Sequence, residues 1–138
     1  MRLQVTIDAA DPHAQAEFWA QAIGYQVEDN STFVDQLVTD GRLPDAGRLV
    51  RNGRSEFVDV TAARDPQGEG PRLFFQKVPE AKVGKTRVHI DVPVADERKA
   101  DEVARLAALG ARELYVTSDR GPVTHTMIDP EGNEFCLH

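Results

Sequence analysis

His89 stands in the run Thr86-Arg87-Val88-His89-Ile90-Asp91-Val92-Pro93-Val94-Ala95-Asp96, one imidazole inside an alternation of apolar and polar residues. Imidazole is the commonest metal ligand and also titrates near neutrality, so such a residue serves either a metal centre or a polar contact in a cleft. His125 offers a ligand-facing donor or base, against the alternative of a half-exposed strand histidine. Cys136, the single cysteine, offers a thiol nucleophile, against the commoner use of cysteine as a small buried side chain. Gln4 and Gln76 add two neutral amides. Lys82, Lys85 and Arg87 form a short basic run that suits an anionic group or a solvated linker equally.

Alternation decides which of these groups can meet. In residues 3–8, Leu3, Val5 and Ile7 share one face and Gln4, Thr6 and Asp8 the other. In residues 88–92, Val88, Ile90 and Val92 oppose His89 and Asp91. Near the C-terminus Phe135 and Leu137 oppose Glu134, Cys136 and His138, and in residues 73–78 Leu73 and Phe75 oppose Phe74, Gln76 and Val78. The apolar faces must be covered, so Gln4, Gln76, His89 and Cys136 are expected on a face turned away from the helices, where a curved sheet forms a cleft.

The elements that carry these strands occur in nearly the same order twice. Residues 3–28 read as a strand, Asp11 as helix N-cap with Pro12 at the first helical position, an apolar stripe including Phe18, Trp19, Ala22 and Ile23, and Gly24 as a stop. Residues 88–116 repeat this with Asp96 as cap, Ala100, Val103, Leu106 and Ala107 at helical spacing, and Gly110 as the stop. Gln4 lies seven positions before Asp11 and His89 seven before Asp96. Two Asp-Pro turns, at Asp65 and Asp129, each lead into a short aromatic strand. The expected fold is α+β: two βαβββ modules, about 1–80 and about 86–138, in one domain spanning 1–138. They form a cup-shaped mixed sheet with helices on its outer face.

An insert at about 31–53 interrupts the first module. Ser31 reads as an N-cap, Phe33, Val34, Leu37 and Val38 share a helical face, Gly41 ends it, and a polar, turn-rich stretch follows. This segment is expected either to close over the cleft as a lid or to pack on the outer face or a dimer partner.

Composition excludes whole classes of function. The 138 residues, 41% hydrophobic and 28% charged, suffice for one core, and the formal charge of -7 with scattered basic residues argues against nucleic acid. No apolar run is long enough to span a membrane and no signal-like segment opens the chain, so a cytoplasmic protein is expected. One cysteine allows no internal disulfide, in keeping with a reducing compartment.

The paired modules, with Phe18-Trp19-Ala20-Gln21-Ala22-Ile23-Gly24-Tyr25 behind an Asp-Pro cap, the junction from Phe74 to Val92, and Asp129-Pro130-Glu131-Gly132-Asn133-Glu134-Phe135-Cys136-Leu137, resemble the vicinal oxygen chelate superfamily. This is the glyoxalase, bleomycin-resistance and dioxygenase superfamily, and the chain is most similar to bacterial glyoxalase-like domain proteins. The resemblance implies a cup that holds a divalent metal or simply a small ligand, and a homodimer. Its four metal positions fall on Gln4, Gln76, His89 and Cys136, with Glu134 replacing Cys136 if the strand register shifts. Two amides, an imidazole and a thiol that must first lose its proton make a poor set for a catalytic divalent ion. The expected function is therefore binding of a small organic molecule without a tightly held metal. A divalent-metal-dependent lyase, isomerase or dioxygenase-like enzyme is the alternative.

Overall fold

The structure, a computed structural model, describes residues 3–119 and 121–138. The first module begins with strand β1, Gln4–Ala9, and helix α1, Pro12–Ile23. Asp11 caps α1, its carboxylate accepting from the backbone N–H groups of His13 and Ala14, and Gly24 ends it with a left-handed φ of 74° that costs glycine little. Strand β2, Gln26–Val27, follows, and the module closes with β5, Val60–Arg64, and β6, Arg72–Lys77.

Between β2 and β5 lie helix α2, Ser31–Thr39, and a hairpin of β3, Arg48–Arg51, and β4, Arg54–Phe57. The hairpin turns on Asn52 and Gly53, with φ of 50° and 75°, the two positive values a tight two-residue turn requires. Asn52-Gly53 carries that signal in the sequence, so the stretch expected to be merely turn-rich holds strand β3 and the turn, and β4 follows directly beyond its expected end. The α2 cap is Asn30 rather than Ser31, and the Ser31 N–H bonds back to Asp29 instead.

The second module consists of β7, Ile90–Val92, helix α3, Lys99–Ala108, and strands β8, Arg112–Thr117, β9, Thr124–Ile128, and β10, Glu134–Leu137. Asp96 opens a 3-10 turn rather than capping α3 directly, and its carboxylate accepts from the buried Lys99 ammonium.

Both modules have one topology. The first sheet runs β1-β6-β5-β2 and the second β7-β10-β9-β8, each with its first and last strands parallel and the rest antiparallel. This is the βαβββ pattern twice over. The insert hairpin forms a separate two-stranded sheet.

The apolar faces of both sheets turn toward one core, which includes Phe18, Trp19, Leu73, Phe75, Leu106, Met127, Phe135 and Leu137. Burying each such large side chain contributes roughly 1.5–3 kcal/mol. Helix α1 serves both sheets: it packs on β5 and β6, while Phe18 and Trp19 stack edge-on against Phe135 of β10.

Polar ties join the modules as well. The Glu131 carboxylate accepts from the N–H groups of Ala10 and Asp11, both at 2.8 Å, at the entrance to α1. At its other end, Arg105 of α3 donates to the carbonyls of Gln21 and Ala22, two of the orphan acceptors of a helix C-terminus.

Candidate functional site

Because both apolar faces meet one core, the two polar sheet faces turn away from it. On the first, Gln4, Thr6 and Asp8 of β1 stand beside Arg72, Phe74 and Gln76 of β6, paired Gln4 with Arg72, Thr6 with Phe74 and Asp8 with Gln76. On the second, Asp91 of β7 pairs with Cys136 of β10, which pairs in turn with Thr126 of β9.

His89 precedes β7 rather than lying within it, because regular pairing begins only at Ile90. It is exposed, with Nε2 at 3.0 Å from both the Thr86 carbonyl and the Lys85 ammonium. It still shares a cavity of about 570 Å3 with Asp91, Tyr115, Thr117, Thr126 and Cys136. Burial pushes the Cys136 thiol above its usual range and the neighbouring Asp91 charge adds to the rise, so the group is held as the thiol.

His125 does not join this group. It shares its β9 face with the buried Met127, and its Nδ1 lies 2.8 Å from Glu113 of β8. The strand alternation places it opposite Thr126 and hence away from the cleft.

Register also separates Gln4 from Gln76. They differ by four positions along the ladder, about 13 Å at the usual strand rise, and each amide is engaged locally. Gln4 Oε1 accepts from Arg72 Nη1 at 2.7 Å, and Gln76 donates to Asp8 at 2.8 Å.

The first-module counterpart of Cys136 is Phe74. Cys136 pairs two residues beyond His89, and Phe74 pairs two residues beyond Gln4. The two extra residues in the Asp65 turn, seven positions from Asp65 to Arg72 against five from Asp129 to Glu134, conceal this in the sequence.

Glu134 is committed elsewhere. Its carboxylate accepts from the Thr86 hydroxyl at 2.6 Å and the Thr86 N–H at 2.9 Å, and pairs with Lys82 at 3.2 Å. These bonds, the Thr86 hydroxyl foremost, hold its pKa down to about 2 and tie the inter-module linker to β10.

Arg72 is the group whose importance the sequence did not disclose. Its Nε and Nη2 grip both oxygens of Glu28, at 2.8 and 2.7 Å, while its guanidinium carbon lies 5.3 Å from the centre of the Phe74 ring. Hydrogen bonding to Arg72 holds the Glu28 carboxyl below the usual range, with the Arg72 and Arg64 charges adding to the effect. Gln4, Glu28, Arg64 and Arg72 line a cavity of about 970 Å3 at this end of the sheet.

The insert does not cover either open face. No insert residue lines the two cavities just described. Its anchors run to α1 and the turn before α2: His13 Nδ1 to Glu56 at 2.7 Å, Arg51 to Glu17 at 3.0 Å and Arg54 to Asp29 at 3.3 Å. Phe33 stacks edge-on against Phe57, so α2 lies on its own hairpin.

Two parallel-closed βαβββ modules of this topology, each leaving an open polar face, define the vicinal oxygen chelate fold. The family model of the glyoxalase-like domain matches residues 4–138, and the chain belongs to that family. Among solved structures, a possible glyoxalase from Bacillus cereus superposes with a TM-score of 0.62 at 17% identity, covering 99% of this chain and 96% of that one. A glyoxalase/bleomycin resistance protein/dioxygenase family enzyme from Burkholderia phytofirmans gives 0.62 at 18%, covering 97% and 94%. The fosfomycin resistance protein FosX from Listeria monocytogenes, complexed with Mn(II) and a dihydroxypropylphosphonic acid, gives 0.58 at 14%, covering 98% and 86%. At these identities the likeness is one of fold. No curated protein matches the sequence.

The side chains at the metal positions do not fit a divalent cation. By register they are Gln4, Phe74, His89 and Cys136: an amide whose oxygen already faces a guanidinium, an aromatic ring, an exposed imidazole and a thiol held protonated. Among the described residues, no three His, Cys, Asp or Glu side chains lie close enough to share a metal ion.

Proposed function

We propose that the protein binds a small organic molecule against the open faces of its sheets, without a tightly held metal, and does so as a homodimer in the cytoplasm. One observation carries the metal-free reading: the Arg72 guanidinium lies 2.7 Å from the amide oxygen of Gln4, the first-strand position that would otherwise serve a cation. A divalent ion there would meet a fixed positive charge at close range.

The dimer is supported by the division of the polar surface. Gln4 and Arg72 line one cavity and His89 and Cys136 another, and among the described residues these two cavities share no lining residue. Strands β1 and β7 are outer strands of their sheets, and Leu3 and Val88 beside them are 70% and 75% exposed. Apposing a second copy would close two half-cups into a ligand-sized space and shield those strands.

Elemental analysis of protein purified without chelator, with metal titration of wild type and His89→Ala, tests the metal-free reading. Substoichiometric metal in both is expected; one equivalent bound by wild type and lost in His89→Ala would overturn it in favour of a metal-dependent enzyme. Light scattering at micromolar concentration tests the dimer, and a monomeric mass would remove it.

A further inference from the structure

We propose that Arg72 anchors the ligand through an oxyanion, so that the molecules this cleft selects are small carboxylates; this rests on the small-molecule reading above. Three contacts fix the guanidinium in place: both Glu28 oxygens, the Gln4 amide oxygen at 2.7 Å and the face of Phe74. Little side-chain freedom remains to be lost on binding, which is the usual cost of using a long basic residue as an anchor.

The cation is held but not saturated. Glu28 takes one hydrogen from Nε and one from Nη2, and Gln4 takes one from Nη1. Nη1 and Nη2 each keep a second hydrogen for which no described residue is an acceptor. A carboxylate is the planar, two-oxygen acceptor that guanidinium hydrogens match.

The charge facing the cavity is mixed, Arg64 and Arg72 against Glu28, Asp65 and Glu69, so selection of an acid rests on the unfilled guanidinium hydrogens and not on a net positive field. Asp65 keeps its charge and accepts from the N–H groups of Gln67, Glu69 and Gly70 in its own turn. Glu69 lies exposed on the same rim. The apolar remainder of a ligand has Leu3, Pro66 and Pro71 to lie against in a cavity of about 970 Å3.

The test compares benzoate, phenylacetate and octanoate with benzamide, phenylacetamide and octanamide, as probes of thermal stabilisation and by calorimetric titration. The acids are expected to raise the melting temperature of the wild type and the amides to leave it unchanged, with acid affinity falling as salt is raised to 0.5 M. Arg72→Gln should weaken acid binding at least tenfold. Glu28→Gln, which removes the competing charge and keeps one of the two acceptor oxygens, should tighten it. If Arg72→Gln does not fold, the acid-over-amide preference, the salt dependence and Glu28→Gln still decide the matter. Amides binding as well as acids, or unchanged acid affinity in Arg72→Gln, would overturn the role of Arg72 and leave the small-molecule reading standing. No stabilisation by any of the six overturns both.

Discussion

The indole N–H of Trp19 donates to Asp129 Oδ2 at 3.3 Å, joining the helix of the first module to the closing turn of the second across 110 positions of chain. Both residues are 2% exposed, and Asp129 also accepts from the Glu131 and Asn133 N–H groups and the Asn133 side chain. Trp19→Phe keeps an aromatic ring in the core but removes the donor. It should cost about 1–3 kcal/mol by urea denaturation, part from the lost bond and part from lost volume. An unchanged midpoint would mean that the turn is held by its own bonds alone.

Glu134 should give the fold an acid-sensitive contact. Its folded pKa of about 2 lies below the ordinary 4.5, so the stability it contributes is fully present above about pH 4.5 and is lost as pH falls through about 2. Glu134→Gln should flatten that limb of the pH–stability curve. A carboxyl carbon titrating near pH 4.5 by NMR would show the Thr86 clamp to be absent in solution.

Gly70 is required by contact rather than by backbone angle. A Cβ there would lie 1.9 Å from the Tyr25 hydroxyl oxygen. Gly70→Ala should therefore destabilise by about 1–3 kcal/mol, and Tyr25→Phe in the same chain should recover part of the loss. Strict additivity of the two changes in a double-mutant cycle would contradict the clash.

Cys136 should react slowly with thiol reagents at neutral pH, since burial and then the Asp91 charge disfavour its thiolate. Asp91→Asn should speed labelling and move the midpoint of the rate–pH curve downward. A wild-type midpoint at or below that of a free thiol would refute the assignment.

Much of the fold was legible because it rests on local chemistry. Asp11 with Pro12 and Gly24 bound one helix, and the alternation in residues 3–8 and 134–138 separates core side chains from open ones without any knowledge of partners. The order of these signals, repeated, is enough for two βαβββ modules. The faces of Gln4, Gln76 and Cys136 follow from the same period of two. The Asn52-Gly53 hairpin was equally local, a signal present in the residues but passed over inside a polar stretch.

Pairing was not legible, and pairing governs the site. Alternation assigns a face but not a level, so Gln4 and Gln76 share a surface while lying four rungs apart, and the position opposite Thr6 proves to be Phe74. His125 shows the complementary limit, since a polar residue on a short strand can face the core side when a partner such as Glu113 satisfies it. Arg72 reads in the sequence as one scattered cation; only the parallel register of β1 and β6, with Glu28 brought in from beyond β2, sets it against Gln4. The sequence by itself determined the elements, their repetition and the inward or outward sense of each strand residue, because those depend on neighbours a few positions away. Which side chains meet was decided by tertiary structure, because hydrogen-bond register between distant strands fixes distances that no local period encodes.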